Sequence, residues 1–140
     1  MNKGFTLVEA AISLMILSAI IYLASTSLLG VVPKYRLEKA VWEIRSALNS
    51  ARYRALVEGV SFRVKLFSDG YSVEKFEEST KTWVLAEKHI LEGVAVESNN
   101  APIFTPEGTV SGLATISISN ARGTYKITLA ITGRIKAVKI

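Results

Sequence analysis

Glu9 is the residue whose chemistry most needs explaining. It is the only charge in the run from Phe5 to Val32, FTLVEAAISLMILSAIIYLASTSLLGVV. A carboxylate placed inside a membrane costs about 2.5–3.5 kcal/mol, so such a group usually has a cationic partner and a task. Lys3 and the α-amine precede the run, and nothing basic follows within a helical turn or two. That makes a partner on another chain the attractive reading. The other reactive types offer little. His89 is the only histidine and is expected on a strand face, so it supports neither a histidine metal site nor a Ser-His-Asp triad. The absence of cysteine excludes a disulfide framework, a thiolate metal site and a cysteine nucleophile. Glu77 and Glu78 are adjacent and would point apart in an extended chain, which suits a solvated turn better than an acid–base pair. The nine glycines are scattered at turns and form no phosphate loop. No catalytic residue, metal site or cofactor is assigned, and an enzyme is not expected.

Basic residues are the second chemical signal. Residues 1–107 carry twelve basic and twelve acidic side chains, so the whole net charge of +5 comes from Arg122, Lys126, Arg134, Lys136 and Lys139. Arg134 and Lys136 are two apart and share a strand face, and Arg122 falls in a turn. A set like this can neutralise phosphates of a nucleic-acid strand. The plainer reading is an ordinary basic surface, since edge strands use lysine to deter aggregation.

The elements that position these groups divide the chain. A bilayer core of roughly 30 Å needs about 20 apolar residues in helix, so the run over 5–32 is long enough to span one. It is too long for a secretory h-region of about 7–15 residues, and no A-x-A-like cleavage site follows it. Lys3 and the amine favour a cytoplasmic N-terminus, with everything after Val32 outside. The mean hydropathy of +0.31 is high for a small soluble domain, and this run supplies the excess. Over 33–59 the apolar positions Leu37, Val41, Ile44, Leu48, Ala51 and Ala55 alternate by four and three, the spacing of an amphipathic helix with one buried stripe. Gly30 and Pro33 lie between the halves, where the proline is expected to kink or loosen the helix. Gly59 is a natural stop. Trp42 and Tyr53 are expected in the core of the head or at its margin.

Beyond Gly59 the period changes to two. Strands are expected at Val60–Phe67, Tyr71–Phe76, Thr82–His89, Val94–Glu97, Ala114–Ser119, Thr124–Ile131 and Arg134–Ile140. Ser68-Asp69-Gly70 and Asn120-Ala121-Arg122-Gly123 read as hairpin turns, and Ser98–Gly112 reads as loop. Six to seven short strands behind one long helix give an α+β class: a long N-terminal helix, half transmembrane and half amphipathic, on a small antiparallel head at 60–140.

Lys3-Gly4-Phe5-Thr6-Leu7-Val8-Glu9 resembles the prepilin motif of type IV pilins and type II secretion pseudopilins. Phe104 and Gly108, as an F-x-x-x-G element, and the tail Thr132-Gly133-Arg134-Ile135-Lys136 are similar to the GspH/FimT branch of minor pilins and pseudopilins. The resemblance implies a leader over 1–4, removed by a prepilin peptidase after Gly4, and methylation of the new amine on Phe5. It implies that Glu9 pairs with the Phe5 amine of a neighbouring subunit, so that both charges are neutralised as a fibre of pilins or pseudopilins grows in and from the inner membrane. Some members of the branch bind DNA through a basic tail, which makes DNA capture by a competence pilus the alternative function. A plain signal-anchored periplasmic protein is the third. The chain departs from many major pilins in lacking a cysteine pair at the end of the head.

Overall fold

The computed structural model of the chain describes residues 6–140, with residues 26–30 described in their backbone only. One helix dominates it. Helix α1 runs over Leu7–Glu58, 52 residues, or about 78 Å at 1.5 Å per residue. Thr6 caps its N-terminus, its hydroxyl oxygen accepting from the Glu9 N–H at 3.2 Å. Gly59 closes the other end in the left-handed region at φ 67°, with its N–H donated to the Ala55 carbonyl. Pro33 lies inside α1, and the helical hydrogen-bonding pattern resumes on both sides of it.

Nine strands follow: β1 (Phe62–Phe67), β2 (Gly70–Glu77), β3 (Thr82–Ile90), β4 (Ala95–Ser98), β5 (Ile103–Phe104), β6 (Val110–Ser111), β7 (Thr115–Asn120), β8 (Gly123–Leu129) and β9 (Ile135–Lys139). They form two antiparallel sheets, in the order β3-β2-β1-β5-β6 and β4-β7-β8-β9. The chain is therefore α+β, with an antiparallel head packed on a long helix. The seven strands expected from alternation are present, with their ends within two residues of the expected positions. Two further strands, β5 and β6, lie inside the stretch expected to be loop. Each is two residues long, too short to show a period, and they pair across a turn in which the Thr105 N–H donates to the Thr109 carbonyl and Gly108 takes φ 81°.

The stripe read from the amphipathic half forms the core. Leu37, Ile44, Leu48, Ala51 and Ala55 are buried, as are Phe62 and Val64 of β1, Phe104 of β5, Ile116 and Ile118 of β7, and Ile127 of β8. The alanines let both sheets approach the helix closely. Trp42 and Tyr53 are not in that core. They stand on the opposite side of α1, 69% and 67% exposed. Residue 42 is turned away by the same 3.6-residue period that turns Val41 and Ile44 inward.

Candidate functional site

Among the described residues, no part of the head packs on the apolar span of α1. Leu7–Ser25 has a mean hydropathy of 2.2, and none of that span is buried against the head. By length and composition this helix fits a membrane span. Glu9 sits in its first turn, where the helix dipole favours a carboxylate. The next cation along the helix is Lys34, about 38 Å further at 1.5 Å per residue. Within the described helix, therefore, no side chain can neutralise Glu9. Gly4 and Phe5, the expected processing residues, lie outside the described residues.

The head is fastened to α1 at several levels. Next to the span, Asn120 Nδ2 donates to the Pro33 carbonyl at 2.7 Å. This places the two-residue turn Ala121-Arg122 between β7 and β8 at the end of the head nearest the apolar span. At the far end, Arg54 reaches both Glu58 at 3.1 Å and Glu87 at 2.9 Å, and Lys75 reaches Glu58 at 2.8 Å. These two cations hold the Glu58 carboxyl below its ordinary range, the Lys75 contact most strongly. His89 stacks on Tyr71 at 5.1 Å and sits 3.6 Å from Glu87. Among the described residues no group of three or more His, Cys, Asp or Glu side chains is arranged to hold a metal.

The five basic residues of the C-terminal stretch do not form one cluster. Lys126 and Lys136 lie on the outer face of the second sheet, with Lys126 opposite Val138 and Lys136 opposite Thr128. Arg134 is exposed just before β9, two residues from Lys136. Lys139 has the other parity on β9, opposite Tyr125, with its ammonium 6.0 Å from the Tyr125 ring. Arg122 is in the turn beside Pro33. Arg134 and Arg122 thus stand at opposite ends of the β8–β9 pair. Gly133 carries the more local signal: it is buried at φ 78°, beneath the Arg52 guanidinium.

No protein-family model and no curated protein matches the chain. Solved structures do. The minor pseudopilin EpsH from the Type 2 Secretion System of Vibrio cholerae aligns with a TM-score of 0.64 at 14% identity, covering 74% of this chain and 97% of EpsH. The type IV minor pilin FimU of Pseudomonas aeruginosa aligns with a TM-score of 0.61 at 18% identity, covering 75% of this chain and 90% of FimU. At these identities the likeness is one of fold, and the fold is that of minor pilins and pseudopilins.

Proposed function

We propose that the chain is a minor pilin or pseudopilin, a structural subunit held in the inner membrane by the N-terminal part of α1 and built into a helical fibre through it. The observation that carries this reading is the two-part helix: one face of the distal half is buried in a two-sheet pilin-like head, while the apolar half is bare along its whole described length. A helix of that kind has to be covered by lipid before assembly and by neighbouring helices after it.

Glu9 supplies the register. It lies near the start of the bare helix with no cation between it and Lys34, and on this reading Lys3 is removed with the leader, so its neutralisation is intermolecular. A prepilin peptidase cutting after Gly4 would create an amine on Phe5, four residues from Glu9, for methylation and for pairing with a neighbour's Glu9. Two charges in lipid are tolerated when they meet and are lost to water together. The N-terminus would face the cytoplasm and the head the periplasm. The role is structural rather than enzymatic, and it requires no cofactor.

Two measurements test this. Expression with and without a prepilin peptidase, followed by mass analysis of the N-terminus, should show loss of Met1–Gly4 only when the peptidase is present. Glu9→Val should leave membrane insertion intact and reduce recovery in sheared fibres. Processing elsewhere, or undiminished incorporation of the Glu9 variant, would sink the assembly mechanism.

A second reading, DNA capture, is supported by the shared exposure of Lys126, Lys136 and Arg134 along the outer side of the second sheet. For the full chain in neutral detergent, it expects duplex binding that weakens steeply as salt rises, with a slope of roughly 0.9 per phosphate neutralised. Arg134→Ala and Lys136→Ala should each lower that slope by about one phosphate. Absence of binding at low salt would remove this reading and leave the structural one.

A further inference from the structure

We propose that the end of the head nearest the apolar span docks on the bilayer surface through Lys34, Arg122 and Lys139, which take the phosphate headgroups of acidic lipids. The inference rests on reading Leu7–Ser25 as a bilayer span.

Three elements of separate sequence origin converge at one level. Asn120 binds the Pro33 carbonyl, which sets the β7–β8 turn and Arg122 beside the helix. The Ile140 N–H donates to the Thr124 carbonyl at 2.9 Å, so the end of the chain lies along the same turn. The Lys139 side chain passes over Gly123, its Cε 3.5 Å from where a Cβ would stand. Lys34 follows Pro33 directly. Beyond Glu9 the sequence stays uncharged to Val32, so Pro33 directly follows the apolar run and Lys34 is the first cation after it. The three cations therefore stand where headgroups would be.

Their surroundings suit an interface. All three are exposed, and among the described residues none of them is in an ion pair. Val31 and Tyr35 on α1 and Ile140 at the chain end are exposed at 59%, 64% and 75% at the same level. Aromatic and aliphatic side chains beside long cations are the composition found where a protein meets a bilayer. The other cations of this end are already occupied. Lys39 is paired with Glu43 at 3.5 Å, and Arg36 packs against Gly93 in a cleft that also holds Glu92.

The rest of the C-terminal charge is placed differently. Lys126 and Lys136 have the opposite strand parity to Lys139 and lie on the outer face of the second sheet. Arg134 is five residues before Lys139 in extended chain, about 17 Å at 3.4 Å per residue, or twice the roughly 8 Å screening length at physiological salt. A bilayer at the base of α1 thus meets one part of the basic stretch and not the other, whereas a duplex lying along the sheet would meet Lys126, Lys136 and Arg134. Near an anionic surface each cation shifts the docked population by a factor of about five, so three together give roughly a hundred-fold.

The chain has no cysteine, so single labels can be introduced without background. An Ala121→Cys label in the full chain, reconstituted in nanodiscs, reports turn-to-headgroup contact through quenching by nitroxide-headgroup lipid. A Leu17→Cys label reports insertion through quenching by brominated acyl chains. Docking predicts strong quenching at position 121 in phosphatidylglycerol-rich discs and weak quenching in pure phosphatidylcholine. Combining K34Q, R122Q and K139Q should lower the docked-to-undocked ratio roughly a hundred-fold, and combining R134Q with K136Q should not change it. Equal quenching in the two lipids overturns the proposal without recourse to any variant, and so does equal loss in the two variants. A quenched Leu17 label with an unquenched Ala121 label removes the docking alone; an unquenched Leu17 label removes the span reading with it. If position 121 stays unquenched in phosphatidylglycerol-rich discs while the chain binds duplex DNA, and combining K34Q, R122Q and K139Q abolishes that binding while R134Q with K136Q does not, the trio binds nucleic acid rather than lipid and the assignment is overturned.

Discussion

Arg52 lies directly over Gly133: a Cβ built on the glycine would stand 2.6 Å from Arg52 Nε and 2.7 Å from its Cζ. The backbone at Gly133 is also left-handed, at φ 78°, and its carbonyl accepts from Arg52 Nη1 at 3.5 Å. Two independent reasons therefore exclude a side chain between β8 and β9. Gly133→Ala should destabilise the head by about 1–3 kcal/mol, measured by denaturant unfolding of the detergent-solubilised chain. Adding Arg52→Ala should recover the clash and leave a backbone cost of about 1 kcal/mol. If the two changes are simply additive, the contact is not what restricts the position.

Glu58 gives a pH dependence whose sign follows from its partners. Lys75 and Arg54 hold its carboxyl below the ordinary value of 4.5, so the folded state prefers the charged form. The stability this contributes is fully present above the ordinary carboxylate range and is lost as pH falls through the depressed folded value. Glu107, held down by Thr105 at the β5–β6 turn, acts in the same direction. Thermal melts of the wild type should therefore shift to lower temperature as pH drops from neutral to below 4.5. Glu58→Gln should melt lower at neutral pH and show a flatter fall. An unchanged profile in that variant would mean the ion pairs are solvated in solution.

Much of this architecture was legible before any coordinates. The change of apolar period from alternating fours and threes to two at Gly59 marks where α1 ends, and the turn residues at Ser68-Asp69 and Asn120–Gly123 mark two hairpins. Such signals are local, and local geometry enforces them. What was not legible depends on partners distant in sequence. Strands β5 and β6 exist because Phe62 and Arg63 of β1 offer Phe104 and Ile103 a ladder, and no two-residue segment announces that. Trp42 and Tyr53 were expected in the core of the head or at its margin, but the helical period alone puts them off the buried stripe. The C-terminal charge read as one patch because its members are close in sequence. The β8–β9 reversal instead brings Lys139 back to Gly123, next to Arg122, and leaves Arg134 at the far end.

Phe104 shows how much such a distant pairing is worth. It stands opposite Phe62 in the β1–β5 ladder, and both are fully buried between helix and sheet. Phe104→Ala should cost about 3–5 kcal/mol by equilibrium unfolding, the usual range for an aromatic cavity in a core. In a double-mutant cycle with Phe62→Ala the losses should fall short of additive, because the second truncation opens a site already loosened. Strict additivity would show that the two rings stabilise separate parts of the core.

The exposed side of α1 separates folding from assembly. Tyr35, Trp42 and Leu56 are separated by multiples of seven residues, with Tyr53 beside them, and all four are about half exposed or more. Tyr35 and Trp42 border clefts between α1 and the first sheet, and Leu56 reaches the β5–β6 turn at Gly108. The open side of this stripe continues the axis of the bare apolar span, so on the pilin reading this is the part of the head that lies against neighbouring helices in the fibre. Trp42→Ala with Tyr53→Ala should change unfolding stability by no more than about 0.5 kcal/mol, as expected for surface sites. Ile44→Ala, on the buried face of the same helix, should cost about 2–5 kcal/mol. Recovery in sheared fibres should reverse that order when compared at equal amounts of folded protein in the membrane, the aromatic pair falling well below Ile44→Ala. If the aromatic variant assembles normally, fibre contacts are confined to the apolar span and the stripe is surface. If it unfolds as readily as Ile44→Ala, the stripe supports the head itself, and its exposure has been misread as an interface.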